Sequence, residues 1–451
     1  MKRIIGIGAV WGFCSLAWVI LGSTLLVRSE GSEVTGDSDV QQLWGPPTEQ
    51  LQPTASYRLE ETVEQVQTET DTDGTRRQVT REVEQVSNPV IPLTGSDIEA
   101  QLALEHRQRG LNWYPTYTVD LTGRYRFENP TDEPQEVTFR FPLSRGMGLV
   151  NSAWRSYSGS GESAVFDGFS VRDASGELVP FEIGGEAATW TATMAPGATT
   201  FEVAYQSRGT QRWQYRMAEG STRITDFHLS VETDFDEVDF PAGTVSPTEH
   251  GETSDGWRGQ WDFDSSIASR PIGIEMPQRL NPGPLAARIT FFAPVGMLFF
   301  FFVVGILSMA RKVDLHPMHY FFISCSFFAF HLLFAYLVDH LAIGASFSIA
   351  AGVSVLLVVS YARLFTGWRF ALQHIGISQL LYLVLFSYTF MWEGFTGLAI
   401  TVGAVMTLFV MMQITGRKRW GKSAAKGDPS TELPTPTPET KAGEASAPAA
   451  F

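Results

Sequence analysis

The chain is poor in cysteine, with two in 451 residues, Cys14 and Cys325. Both fall in apolar runs, so the polar part of the molecule has no disulfide framework to rely on. Residues 28–288 contain no lysine at all. They hold 21 arginines against 41 acids, a net charge of −20. A surface that acidic repels phosphates, which argues against nucleic acid as a partner. Residues 289–415 are poor in charge of either sign, with three acids and four bases in 127 residues. Such an asymmetry excludes a single water-soluble globule.

What is present instead is a set of long apolar runs. A hydrocarbon core about 30 Å thick needs roughly 20 residues of helix. Six runs meet that need: residues 4–27, 289–310, 318–338, 343–362, 370–392 and 395–415. None carries an internal Lys, Asp or Glu. Unbroken apolar runs predict helices, which satisfy their own backbone inside lipid. The first run exceeds the usual ~7–15-residue core of a cleaved signal peptide, so it is read as an anchor, residues 1–28.

Lys2 and Arg3 precede the first run, and Arg311 and Lys312 follow the second. Arg363 and Arg369 lie between the fourth and fifth, and Arg417, Lys418, Arg419 and Lys422 follow the sixth. These positions fall on one side if both termini are cytoplasmic. The expectation is therefore an exported domain over 29–288, a five-helix bundle over 289–421 and a cytoplasmic tail over 422–451. That tail, with Pro434, Pro436 and Pro438, has the composition of a disordered segment.

The exported domain reads as β. Val119, Leu121, Gly123, Tyr125 and Phe127 alternate with polar residues, as do Val137, Phe139 and Phe141 beyond the Asn129–Pro134 turn cluster. Phe201, Val203 and Tyr205 follow a Pro-Gly turn, and Phe227, Leu229 and Val231 share one face. The pattern predicts mainly antiparallel, sandwich-like sheets. Residues 29–52 are polar, include Pro46-Pro47, and read as a tether. Residues 60–86 are ambiguous: Asp71-Thr72-Asp73-Gly74 suggests a hairpin turn, while Val79, Val83 and Val86 keep helical spacing. A calcium loop from Asp71 to Glu82 would contain Arg76 and Arg77, so a polar turn is the better reading.

The chemical motifs are weak. Residues 416–423 match the phosphate-binding pattern Gly-x-x-x-x-Gly-Lys-Ser. That loop needs a strand before it and a helix after it; here an apolar run precedes and a Pro-rich tail follows. Gly159–Ser163 does not keep the spacing of a serine elbow, and the common zinc signatures are missing. No catalytic set, metal or cofactor is expected. The candidate functional positions are polar residues of the C-terminal runs: His316, His319, Tyr320, His331, Asp339, His340 and Glu393. Intramembrane ionisable groups are costly and so hint at function. Only His331 is deep, where a neutral histidine bonded to a neighbouring helix competes with a functional role.

Leu315-His316-Pro317-Met318-His319-Tyr320 resembles the Leu-His-Pro-x-Gln-Tyr that opens a membrane helix in the bacterial inner-membrane CreD family, with His319 in place of Gln. Asp339-His340 resembles that family's Glu-His at the end of the same helix. Tyr361-Ala362-Arg363, Gly367-Trp368 and the basic end at 415–420 are also similar. In the exported part, Arg107-Gln108-Arg109-Gly110-Leu111 resembles the family's Arg-x-Arg-Gly segment before a strand. The resemblance implies an inner-membrane protein tied to envelope integrity and cell-wall stress, and supplies no catalytic residues. The expectation is a protein that binds an envelope component, a periplasmic protein or the cell wall, rather than an enzyme. A small-solute or ion transporter using the polar residues above is the alternative.

Overall fold

The first helix is much longer than a membrane needs. In the computed structural model, which describes residues 2–70, 76–150, 153–156, 166–217, 222–268, 270–392 and 394–416, α1 (Lys2–Trp44) runs unbroken for 43 residues. At 1.5 Å per residue that is about 65 Å, twice the ~30 Å hydrocarbon thickness. The expected tether at 29–52 is therefore corrected: it is helical through Trp44 and then forms a strand, Thr48–Leu51. The polar composition that suggested a linker serves contacts with the β domain instead. Gly45, at φ +109°, donates its N–H to the Gln41 carbonyl at 2.8 Å, and Pro46-Pro47 then forbid another turn.

Five further helices are long and apolar enough to cross a membrane: α2 (Pro282–Arg311), α3 (Pro317–Leu337), α4 (Ile343–Thr366), α5 (Trp368–Met391) and α6 (Thr396–Gly416). Each lies within a few residues of its predicted run, except that α2 starts seven residues earlier. Proline sits in the first turn of α2 and α3, where its missing N–H costs nothing. α5 is not a uniform α-helix. It widens into π turns at Ala371–Gly376 and Leu380–Leu385.

Three packed sheets make the β domain. The central one has seven strands, in the order Phe166–Arg172, Gly197–Thr210, Asn112–Asn129, Leu93–Arg109, Thr222–Thr233, Trp257–Ala268 and Glu249–Glu252. All its neighbours are antiparallel except Leu93–Arg109 with Thr222–Thr233. A five-stranded sheet that includes Gln135–Pro142 and Ala187–Met194 packs on it. Phe139 is central to that contact, 4.5 Å from Phe201 and 5.2 Å from Phe127 of the central sheet, and it stacks at 5.5 Å on Trp190 of its own sheet, by ring centroids. The predicted alternation is the reason: Val119, Leu121, Tyr125, Phe127, Val137, Phe139 and Phe141 are all buried. A second five-stranded sheet contains Thr48–Leu51 and Arg212–Arg216, paired in parallel.

Residues 60–86 resolve as strands, Leu59–Thr70 and Arg76–Ser87, which form a two-stranded sheet of their own. The spacing of Val79, Val83 and Val86 does not make a helix, because cross-strand pairing leaves Val63 opposite Val83 instead. The Asp71–Gly74 turn, the phosphate-loop pattern beyond Gly416 and the tail at 422–451 lie outside the described residues.

The bundle has two distinct ends. An ideal Cβ on Gly6 would sit 3.1 Å from Pro317, so α1 begins beside the start of α3. Arg311, Lys312, Arg363 and Arg369 share this basic end, away from the sheets. At the domain end, Ser29 of α1 meets Gly283 of α2, where a Cβ would come within 2.7 Å of it.

Candidate functional site at the helix–sheet junction

The end of α1 is held by the sheets on several sides. The Tyr114 hydroxyl donates to the Glu33 carbonyl at 3.1 Å, and Gln211 donates to Asp37 at 2.6 Å. Arg109 pairs with Asp39 at 2.9 Å. The Trp44 indole donates to the Tyr117 carbonyl at 3.1 Å, and the Arg107 guanidinium lies 3.7 Å from the Trp44 ring centroid. Burial pushes the Asp37 carboxyl above its usual range, with the Gln211 amide opposing that shift. Gly36 is needed here because a Cβ would lie 2.2 Å from the Tyr114 hydroxyl. The Arg107–Gly110 segment is therefore the tip of the Leu93–Asn129 hairpin gripping the helix. Gly110 takes φ +62° at the turn.

Beyond α1 the chain enters the β core directly. Thr48, Glu49 and Gln50 are polar yet buried, and each is bonded, as burial demands. Thr48 donates to the Tyr117 hydroxyl at 2.8 Å, which donates in turn to the Arg212 carbonyl at 2.8 Å. Gln50 accepts from Ser144 and Tyr205, both at 2.7 Å. Glu49 meets Arg216 at 2.6 Å. α2 is tied to the same hairpin tip. Its N-cap Asn281 does not cap its own helix but accepts from the Trp113 N–H at 2.8 Å, and Arg279 lies over the Trp113 ring at 4.8 Å.

Inside the bundle the polar side chains bridge helices. Trp18 of α1 donates to His331 Nδ1 of α3 at 3.1 Å, with both side chains buried. Trp11 donates to the Pro294 carbonyl of α2 at 2.9 Å. Gln379 of α5 donates to the Ser354 hydroxyl of α4 at 2.9 Å, which donates to the Ser326 carbonyl of α3 at 2.7 Å. At the domain end Arg28 pairs with Asp339 at 3.0 Å.

The predicted positions do not converge on one centre. His316 caps α3, its ring nitrogen accepting from the Met318 N–H at 3.3 Å. His319 lies 3.0 Å from the Tyr361 hydroxyl and stacks on Phe365 at 3.9 Å. Tyr320 is buried edge-on to Phe301 at 5.0 Å. His331 and Asp339 serve the contacts with α1, His340 is exposed in the turn after α3, and Glu393 lies outside the described residues. No group of three metal-binding side chains forms among the described residues.

Composition missed the junction partners Asp37, Asp39, Trp44 and Asn281, and the buried Gln379. Gln379 had a signal: it is one of two amides, with Gln373, within an apolar run. The junction residues had only the Arg107–Gly110 segment as a sign.

The comparison with curated proteins finds no match. A solved structure titled a "putative nutrient binding protein" from Legionella pneumophila is similar over 50% of this chain and 78% of its own. Its identity is 12% and its TM-score 0.29, which is too slight to bear on function. The profile of the family described as "Inner membrane protein CreD" matches residues 27–421. That match takes in the β domain, the junction and five helices, so the chain belongs to the CreD family of inner membrane proteins.

Proposed function

We propose that this protein supports the integrity of the bacterial envelope by binding rather than by catalysis. The acidic β domain faces the periplasm and contacts an envelope component, a protein or the cell wall, while both termini lie in the cytoplasm. The bundle anchors the domain and receives its bound state. The observation that carries this reading is the continuity of α1, which touches His331 within the bundle and runs without a break into the β core. A rigid element shared by two bodies lets a change in one bias the other. The placement of the basic residues at the end away from the sheets supports the orientation.

Transport through His331 and Asp339 is the weaker reading, because Trp18 and Arg28 already engage them. The test is deletion of the gene followed by challenge with wall-targeting antibiotics and detergents. The full chain restores tolerance in this account. The β domain alone, the helices alone and a chain with a Gly-Ser insertion after Gly36 do not. Restoration by either half alone overturns it.

A further inference from the structure

α6 touches the rest of the bundle sparingly. Only Thr407 and Met411 among its described residues are buried. The Tyr382 hydroxyl meets Thr407 Oγ1 at 2.8 Å, and Thr396 donates to the Thr389 carbonyl at 3.1 Å. Between these two struts and α2 lies an open groove of about 940 Å³. It runs the length of α5, from Gln373 and His374 near the basic end to Trp392 and Phe395 at the domain end. Its walls are almost wholly apolar, and Gly403 and Ala404 of α6 leave it wide.

The mouth at the basic end differs in chemistry from the walls. His374 lines it, with Nδ1 buried and lacking a hydrogen-bond partner among the described residues. Arg311, in the last turn of α2, stands four residues after the groove-lining Leu307 and so on the same face of that helix. Arg369 stands four residues before Gln373, on the same side of α5. The loop after α2 adds Lys312 and one carboxylate, Asp314. The charge there is net positive, which suits an anionic headgroup.

We propose that this groove is a binding site for an anionic phospholipid. One acyl chain lies along α5 and α6, and the phosphate rests at the basic mouth near Arg311, Arg369 and His374. The apolar walls take any chain, whereas the mouth selects the headgroup. The site is independent of what the β domain binds.

The test uses the full-length protein in detergent, incubated with phosphatidylglycerol or phosphatidylethanolamine of identical acyl chains and read by native mass spectrometry. The expected result is at least fivefold greater retention of phosphatidylglycerol. The R311Q/R369Q double variant reduces retention of phosphatidylglycerol to that of phosphatidylethanolamine. Gly403→Phe lowers retention of both, because a Cβ at Gly403 meets open space and the ring enters the groove. Thermal unfolding of each variant within a few degrees of the parent shows that the fold is retained. Equal retention of the two lipids, or displacement of phosphatidylglycerol by millimolar inorganic phosphate, overturns the proposal. So does a Gly403→Phe variant that is folded and retains lipid like the parent.

Discussion

The indole of Trp18 points its N–H at His331 Nδ1 from 3.1 Å, across the interface of α1 and α3. An indole can only donate, so this contact requires a lone pair on Nδ1. The same nitrogen lies 2.9 Å from the Phe327 carbonyl, which can only accept. One nitrogen cannot satisfy both neighbours, and His331 Nε2 has no partner among the described residues. The histidine therefore holds an unmet demand at the contact between α1, which runs on into the β domain, and α3.

A double-mutant cycle measures that contact. Trp18→Phe and His331→Leu, alone and together, are expected to give a coupling of about 0.6–2 kcal/mol in detergent, the range of interhelical hydrogen bonds in membranes. A coupling of zero would mean that the pair packs without bonding.

Gln379 and Ser354 form another interhelical bond, and here removal of one partner costs more than removal of both. Ser354→Ala strands the buried amide and is expected to destabilise the protein by about 1–3 kcal/mol. Adding Gln379→Leu to that variant restores part of the loss, because no polar group is then left unsatisfied. Thermal unfolding of the two variants distinguishes this from simple loss of packing.

The junction tolerates no side chain at position 36. Gly36→Leu forces Tyr114 away from α1, at an expected cost of about 1–3 kcal/mol from overpacking. Limited proteolysis is expected to cut between residues 28 and 48 in the variant and not in the parent.

The β core carries a pH limit. Tyr117, Tyr125, Tyr205 and Tyr215 are buried, and desolvation pushes each phenol above its usual range. The unfolded chain ionises these groups near pH 10, while the folded one holds their protons. Their contribution is fully present below pH about 10 and is lost as the pH rises beyond it. Phenolate absorbance is expected to lag in the folded protein and to appear in step with loss of β structure. Ionisation of all the tyrosines near pH 10 without unfolding would contradict the burial.

The membrane runs and the sheet faces were legible because each follows a single period or length. Val119 to Phe127 alternate because one face meets water, and residues 343–362 are apolar because lipid surrounds them. Residues 29–52 were not legible. Asp37, Asp39, Thr48, Glu49 and Gln50 carry the polarity of a linker, yet tertiary partners 69 to 174 residues away satisfy them. Hydrogen bonds of that range leave no local pattern. The same holds for Asn281, which has the composition of a helix cap but bonds to a strand. The resemblance at Arg107–Gly110 marked a place without saying what it did; the fold assigns it to the grip on α1.

Orientation tests the account most directly. A chain with Cys14 and Cys325 replaced by serine receives one new cysteine, either in the exposed turn at Gly243 or at exposed Arg363 beyond Tyr361 on α4. Spheroplasts are treated with a membrane-impermeant maleimide. Labelling at position 243 in intact spheroplasts, with position 363 labelled only after lysis, is the predicted result. The reverse pattern would place the β domain in the cytoplasm and contradict the account.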